Sequence, residues 1–498
     1  MTNRISFAGL ANRVAAQHIP VVTHSGGVTE GCVFVVLPPS LPRGREQEAP
    51  GGERYLAEAL AGRPGAVVCH PGHLPLLEAL RPECDVVLEE DVRACLGVLA
   101  RAFYGTDQHC PKVIGITGTN GKTTETYLLE ALFTALGVRC GVIGTVSYRW
   151  PGHEEDAPLT TPGCLVLHGM LARMHAAGAE YAFMEVSSHA LDQDRVAGID
   201  FSAGLLTNLT QDHLDYHATM EEYFASKERL FLPAALGGVP LDGKIVAANA
   251  DDSYGRRILE GHPGGIGFGL SGAAVPGSRT LAGRVLSMTP RGLKLSQRFE
   301  GKEWEIDSPL VGGFNAMNLL GAQALGLGLG LVPDDLRALE SFTGVSGRLE
   351  RVPGNTGQHV FVDYAHTPDA LVKAISALRD AGFRRIVTVF GCGGNRDRSK
   401  RPLMGRAVAG LTDIAVLTSD NPRNEDPEAI MADVLPGLAD CPRVVTQPDR
   451  RAALSEALAL TGPDDALLVA GKGHETYQLI KGVKYPFSDQ KILRELMQ

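Results

Sequence analysis

Residues 115 to 124 read Gly-Ile-Thr-Gly-Thr-Asn-Gly-Lys-Thr-Thr, residue types and spacing suited to holding a polyphosphate. Glycines let backbone N–H groups converge on phosphate oxygens, and a helix starting at the lysine adds positive potential. Lys122 would reach the β- and γ-phosphates, and the Thr123 hydroxyl would take Mg²⁺. The strict G-x-x-x-x-G-K-[ST] spacing is not met, because Ile116 sits where its first glycine belongs. Downstream, Glu185 closes an apolar run, where its carboxylate either holds Mg²⁺ or leaves the sheet into solvent. Asp212 to His217 places His213 and His217 four apart, on one face if helical. Zinc lacks a third ligand nearby, which leaves a polar surface turn or a histidine beside a metal. Lys227, in Tyr223-Phe-Ala-Ser-Lys-Glu-Arg229, reads by itself as a solvated helix lysine. An ammonium beside Mg²⁺ is electrostatically awkward unless modification turns it into an anion. Asp420-Asn-Pro-Arg423 reads as a Pro-bearing surface turn or as part of a binding loop, with Arg423 offering a bidentate fork for a carboxylate.

These residues need elements to hold them. Lys112–Thr117 is expected as a strand feeding the phosphate loop, followed by a helix over 124–136 that stops at Gly137. Strands are expected at Tyr181–Glu185 and Gly204–Asn208, each ending in a polar cluster. Beyond Gly347 come His359–Asp363, Ile386–Phe390, Ile414–Thr418 and Ala466–Ala470, each running into a polar or glycine-rich turn. Repeated strand, polar loop and helix units imply parallel sheets with function at the carboxyl ends of the strands. Upstream, Val33–Leu37 and Ala66–His70 read as buried strands, separated by a Pro/Gly-rich loop (Pro38 to Glu53) and a helical stretch, 55–61. Gly264 to Arg279, rich in Gly, Ala and Ser, is expected to be a loop. The glycine-rich run after Asn318 is poor in helix formers.

At 498 residues the chain is long enough for about three domains. Its 44% apolar and 21% charged residues describe a globular protein. With 47 basic against 57 acidic side chains, a net charge of −10 argues against coating nucleic acid or an anionic membrane. No signal peptide and no transmembrane run is expected, and nine cysteines without a CxxC suggest reduced thiols and the cytosol.

Taken in order, the motifs resemble the Mur ligase family of ATP-dependent amide-bond-forming enzymes of peptidoglycan precursor synthesis. They are Gly115 to Thr124, Leu159-Thr-Thr-Pro162, Glu185-Val-Ser-Ser-His189, Thr207 to His213, Pro309 to Asn318, Val345-Ser-Gly-Arg348, Val362 to Pro368, Phe390 to Asp397 and Gly471-Lys-Gly-His-Glu475. Together they span about residues 20 to 490. The resemblance implies an α/β protein of three domains: 1–108 binding the uridine nucleotide, 109–346 a P-loop ATPase with a parallel sheet, and 347–498 a Rossmann-like domain for the incoming amino acid. Asp420 to Arg423 resembles the form that adds meso-diaminopimelate to UDP-MurNAc-L-Ala-D-Glu.

By the same resemblance, Gly118, Thr119, Asn120, Gly121, Lys122, Thr123 and Thr124, with Asn315, Arg348 and Asp363, contact ATP. Ser25, Thr160, Thr161, Ser187, Gln193 and Arg195 would bind the UDP-MurNAc-dipeptide. Arg396, Asp420, Asn421, Arg423, Gly471 and Glu475 would line the diaminopimelate pocket. Lys122, Glu185, His213 and Lys227 would be catalytic, with Thr123, Glu185, His213 and a carbamylated Lys227 close to two Mg²⁺ ions. A carbamate supplies the anionic oxygens that an ammonium does not. A cytoplasmic monomer is implied. Two places depart from the family pattern. The expected D-S-R is His24-Ser25-Gly26, with the usual H-x-x-D-G loop replaced by Pro38 to Glu53. The expected GCGG-D-R-D carries Asn395 for its first Asp, one charge fewer beside Arg396. The lysine- or ornithine-adding form is the alternative within the family. A P-loop NTPase switch without ligase activity, or a non-catalytic nucleotide-binding module, is the alternative outside it.

Overall fold

The structure is a computed structural model that describes residues 3–42, 45, 49–214, 216–232, 243–355 and 357–498. Residues 1–2 of the N-terminal run, 43–44 and 46–48 of the Pro38–Glu53 loop, and Asp215 lie outside the described residues. The chain forms two compact units, Met1–Leu281 with Leu320–Leu336, and Ala282–Leu319 with Arg337–Gln498.

The first unit begins with five parallel strands, β1 (Asn3–Arg4), β2 (Val21–Val22), β3 (Val33–Val35), β4 (Ala66–Cys69) and β5 (Asp85–Leu88), in the order β1-β5-β4-β3-β2. Side chains alternate across a strand, so Val33, Val35 and Val68 join a core with Leu10 and Leu99 on one face. Phe34, Val67 and Cys69 pack with Leu56 and Leu77 on the other. Burial on both faces is why these strands are unbroken apolar runs. The helix Val92–Tyr104 is capped by Asp91 and ends at Gly105. A Cβ on its Gly97 would lie 2.6 Å from Ala197, so only glycine allows this approach.

A second sheet in this unit carries the phosphate loop. Its strands are β6 (Lys112–Thr117), β7 (Cys140–Ile143), β8 (Ser147–Trp150), β9 (His153–Asp156), β10 (Tyr181–Glu185), β11 (Phe201–Leu206), β12 (Ile245–Asn249) and β13 (Ile266–Gly269). Their order is β13-β12-β11-β6-β10-β7-β8-β9, parallel from β13 to β7. The central strand β6 is flanked by β10 and β11, in registers that pair Glu185 with Ile116 and Leu206 with Thr117. Three polar loops therefore leave the sheet side by side. β13 corrects the loop expected over Gly264–Arg279. Ile266 and Phe268 are buried, and a Cβ on Gly267 would press to 3.0 Å from Leu259, so glycine here serves packing. The helix Gly313–Gly328 forms despite its composition because Leu319, Leu320, Ala322, Ala324 and Leu325 are fully buried; tertiary packing outweighs propensity.

The second unit contains, from Ala282 onward, an antiparallel meander made of β14 (Arg279–Thr289), β15 (Gly292–Phe299) and β16 (Lys302–Ser308). Its main sheet comprises β17 (Glu350–Val352), β18 (His359–Asp363), β19 (Ile386–Phe390), β20 (Ile414–Thr418), β21 (Val444–Gln447) and β22 (Ala466–Ala470). The order is β17-β18-β22-β19-β20-β21, parallel except for the edge strand β17. Four of these strands have the bounds their apolar runs predicted. Loops after β18, β19, β20 and β22 leave at the same end of the sheet, where α/β proteins bind ligands.

Candidate active site

In the first unit, the turn from β6 into the helix Lys122–Ala135 is shaped by backbone geometry. Gly118 has φ +142°, and a Cβ there would fall 1.9 Å from the Thr207 hydroxyl oxygen. Residues past β11 brace the loop. Thr207 Oγ1 donates to the Asn120 carbonyl at 2.6 Å, Asn208 Nδ2 donates to the same oxygen at 3.0 Å, and Asn120 N donates to Asn208 Oδ1 at 3.1 Å. Thr119 N donates to the Asn208 carbonyl at 2.9 Å. Lys122 folds over the turn, its Nζ 2.9 Å from the carbonyls of both Gly118 and Thr119. Thr123 and Thr124, in the first helical turn, are buried.

Lys227 converges on this turn. It lies in the helix Met220–Glu228, is 1% exposed, and donates to the Gly118 carbonyl at 2.8 Å. Its Nζ also sits 4.6 Å from the Tyr223 ring centre. The solvated-lysine reading therefore fails. Burial, and then the nearby Lys122 charge, hold its ammonium well below the usual lysine range, with Asp212 opposing them. A neutral amine in such a pocket is a nucleophile towards CO₂.

Glu185 does not leave the sheet into solvent. It is 1% exposed, and its carboxylate accepts from Thr145 N at 2.7 Å and Thr145 Oγ1 at 3.0 Å. Thr145 Oγ1 lies 3.1 Å from Thr160 Oγ1, and Thr161 Oγ1 donates to the Glu185 carbonyl at 2.8 Å. The chain continues through Ser187, whose N donates to Thr161 Oγ1 at 3.1 Å and whose Oγ caps the helix Ser188–Asp192. Arg195 reaches back to the Thr161 carbonyl at 3.1 Å and to Gln193 Oε1 at 2.8 Å. Gln193 Nε2 in turn donates to the Tyr216 hydroxyl, which donates to Asp192 at 2.8 Å. Thr160, Thr161, Ser187, Gln193 and Arg195 are thus one polar network that ends on the Glu185 segment.

His213 and His217 lie on a single turn, not a helix. His217 N donates to the His213 carbonyl at 2.9 Å, and His213 has φ +52°. His213 is half exposed, with its ring 5.0 Å from that of His189. His217 is buried, with Nε2 lacking a hydrogen-bond partner and its basicity lowered chiefly by burial. Among the described residues no group of three His, Cys, Asp or Glu could hold a metal on its own. The donors on hand, the Thr123 hydroxyl and the Glu185 carboxylate, are hard oxygens of the kind Mg²⁺ takes together with phosphate oxygens. Ser25 stands apart on an exposed turn, donating to Glu58 Oε2 at 2.9 Å.

The second unit brings the remaining residues to the loop ends of its sheet. Asp363, the last residue of β18, accepts from Leu349 N at 2.6 Å and Ala365 N at 2.7 Å. Burial pushes its carboxyl up, against the pull of nearby Arg348. The Arg348 guanidinium lies 5.1 Å from the Tyr364 ring centre, with Nε buried and unpaired. Asn315 spends its amide locally, donating to the Val311 carbonyl at 2.8 Å.

Asp420 and Asn421 are buried, so the turn after β20 is no surface turn. Arg423, at φ +52°, is pinned by backbone bonds to Leu479 and Lys481 at 2.9 and 2.6 Å, and its Nη1 donates to the Gly394 carbonyl at 2.8 Å. Arg396 is exposed on the facing loop, its Cγ 3.8 Å from where a Gly393 Cβ would stand. Asn395 adopts φ +52°, a conformation asparagine tolerates, and accepts from Asn424 N at 3.0 Å. Gly471, at φ +111°, approaches Asp420 so closely that a Cβ would lie 2.6 Å from its Oδ2. Asn421 Nδ2 donates to Glu475 Oε2 at 2.9 Å.

Sequence reasoning passed over Lys472. It is fully buried and donates to Asn421 Oδ1 at 3.1 Å and Glu475 Oε2 at 3.0 Å, which locks two pocket residues together. Thr145 and Tyr216 were also missed, since neither stands in a motif with a side-chain direction. Apart from these, Glu125 is fully buried with both carboxylate oxygens unpaired, and burial drives its carboxyl well above the usual range.

Known proteins resemble this chain along nearly its whole length. The Mur ligase middle domain family matches residues 116–326, and the family described as Mur ligase, glutamate ligase domain, matches residues 347–473. A UDP-N-acetylmuramoyl-L-alanyl-D-glutamate–2,6-diaminopimelate ligase of Lawsonia intracellularis is 51% identical over 99% of both chains. Its namesake from Synechococcus elongatus is 44% identical over 89% of this chain and 88% of its own. A solved structure of a ligase of the same name is similar over 96% of this chain and 94% of that one, at 30% identity and a TM-score of 0.69. With likeness of this extent along nearly its whole length, the chain belongs to the Mur ligase family.

Proposed function

We propose that the protein joins meso-2,6-diaminopimelate to the γ-carboxylate of the D-glutamyl residue in UDP-N-acetylmuramoyl-L-Ala-D-Glu, at the expense of ATP. The observation that carries this reading is the 51% identity to a ligase of that name over 99% of both chains. The pocket supports it: Arg423 offers a planar fork to a carboxylate, while Glu475 offers a partner for an ammonium, matching the zwitterionic end that distinguishes diaminopimelate from lysine.

In the reaction, the γ-phosphoryl group of ATP passes to a glutamyl carboxylate oxygen, giving an acyl phosphate and ADP. The free amine of diaminopimelate then attacks the acyl carbon, loses a proton, and inorganic phosphate leaves. Lys122 and the N–H groups of residues 118–123 hold the triphosphate and offset its charge. Asn315, Arg348 and Asp363 are assigned to the nucleotide, Thr160, Thr161, Ser187, Gln193 and Arg195 to the UDP-MurNAc-dipeptide, and Ser25 to its uridine end. Arg396, Asp420, Asn421, Arg423, Gly471 and Glu475 hold the amino acid. Thr123, Glu185 and Lys227 as its carbamate would hold two Mg²⁺, with His213 beside them; bound there, Mg²⁺ neutralises the anions that must meet. We divide the chain at 108 and 346 into three domains, which is supported by the separate five-stranded sheet of the first segment and by the start of the second family match at 347. We assign the protein to the cytoplasm as a monomer; among the described residues no helix is long and apolar enough to cross a membrane.

The test is ligation by purified protein with UDP-MurNAc-L-Ala-D-Glu, ATP and either diaminopimelate or lysine, read as product mass and ADP. Diaminopimelate is the expected substrate, and Lys122→Ala is expected to abolish product. Dominant lysine turnover rejects the amino-acid assignment, and phosphate release without both co-substrates rejects the ligase in favour of an NTPase.

A further inference from the structure

The last helix, Asp489–Leu496, opens with two polar residues that are almost completely enclosed: Asp489 is 0% and Gln490 6% exposed. Gln490 Nε2 donates to the Gly473 carbonyl at 2.9 Å and to Glu350 Oε2 at 3.0 Å. That same Glu350 oxygen accepts from Gly347 N at 2.8 Å and Ser346 Oγ at 3.1 Å, so it fixes the turn carrying Arg348. Asp489 grips Arg450 with both oxygens, at 2.8 and 2.6 Å, and both side chains are fully buried. The remaining guanidinium donors of Arg450 reach the carbonyls of Ser419 at 3.4 Å and Ala470 at 3.1 Å. Those carbonyls immediately precede Asp420 and Gly471.

A buried ion pair is by itself weak support for stability, because desolvation offsets most of its attraction. Its value here lies in where the spare hydrogen bonds go. Two adjacent helix residues and one arginine reach three loops on which the resemblance and the geometry place ligand contacts. We infer that Asp489, Gln490 and Arg450 are positioning residues that set the Arg348 turn, the 419–421 turn and the 470–473 turn in mutual register for nucleotide and diaminopimelate. The inference rests on the ligase reading for its ligands, but its geometric core does not.

The test uses the full-length protein. Gln490→Met keeps the length of the side chain and removes its donors. It is expected to raise KM for both diaminopimelate and ATP by about tenfold, to leave KM for the UDP-MurNAc-dipeptide unchanged, and to hold kcat within about twofold. Gln490→Asn, which keeps the amide but withdraws it by one carbon, gives the same ranking at smaller size. Arg450→Lys keeps the charge facing Asp489 but loses carbonyl bonds, and raises KM for diaminopimelate more than for ATP. Amide hydrogen exchange, which needs no substrate, is expected to quicken together at 346–349 and 471–474 in Gln490→Met. If exchange stays at wild-type rates in those loops, or all three KM values stay within twofold while melting temperature falls, the residues are merely structural and the proposal is overturned. Failure of the wild-type protein to ligate diaminopimelate rejects the function instead, and leaves the exchange result to decide this proposal.

Discussion

Replacing Arg423 by lysine isolates the contribution of its planar fork. Lysine can occupy the same left-handed backbone position, and the bonds to Leu479 and Lys481 that pin the residue are main chain, so the loop stays in place. What is lost is the Nη1 bond to the Gly394 carbonyl, at 2.8 Å, and one arm of the two-pronged grip on a substrate carboxylate. A charge-assisted hydrogen bond contributes about 1.5–3 kcal/mol. Arg423 is only partly buried, which points to the lower part of that range, about 2 kcal/mol in all. That corresponds to a drop of about 30-fold in kcat/KM for diaminopimelate. Lysine as substrate has no carboxylate at that end and loses nothing, so the ratio of the two kcat/KM values falls by the same factor. Initial rates with each amino acid, at saturating ATP and UDP-MurNAc-dipeptide, measure it. Equal losses for both substrates, or an unchanged ratio, would refute the assignment of Arg423 to the distal carboxylate.

If Lys227 carries a carbamate, CO₂-free buffer lowers ligation and bicarbonate restores it, and protein equilibrated with ¹³CO₂ shows a carbamate carbon by NMR that Lys227→Arg lacks. Absence of that signal in the wild type removes Lys227 from the metal site. Glu125 makes a prediction about pH. Its folded-state carboxyl is raised by burial, so the native chain keeps a proton that the unfolded chain gives up near 4.5. The stability it contributes is complete below that value and is lost as pH rises towards the folded value, by about 1.4 kcal/mol per unit. Glu125→Gln, neutral at every pH, is therefore expected to gain on the wild type in melting temperature as pH rises above 5, until the folded-state carboxyl itself ionises. A constant difference across that range contradicts an unpaired, protonated Glu125.

The bounds of β18, β19, β20 and β22 in the second unit, and the turn at Gly118 to Gly121, were legible because apolar runs ending in polar clusters have few other ways to fold, whereas the strand expected at Gly204–Asn208 runs instead from Phe201 to Leu206. Less legible was the direction of single side chains. Lys227 sits among Ser226, Glu228 and Arg229, a setting indistinguishable in sequence from a solvated helix face; its amine is taken up by the Gly118 carbonyl, 109 residues earlier in the chain. Lys472 stands inside a recognised motif, yet spacing does not say that it turns inward onto Asn421 and Glu475. The strand at Ile266–Gly269 was obscured because glycine, read as a loop former, serves there as a close-packing residue against Leu259. Asp489 and Gln490 were not singled out, because their distant partners lie on three separate segments of the chain, at Glu350, Arg450 and Gly473.

The loops at the carboxyl end of the second unit's main sheet touch main chain to main chain: a Cβ on Gly347 would meet the backbone of His474 at 2.2 Å, and one on Gly394 the carbonyl of Pro422 at 1.9 Å. Seams made this way have no side chain that can yield, so bulk added there must push backbone aside. On the proposed assignment, a change in amino-acid preference is expected to come through the side chains beside these seams, Asn395, Arg396, Arg423 and Glu475 among them. For an engineer, those side chains are the place to build a library, and the glycines are the place to leave alone.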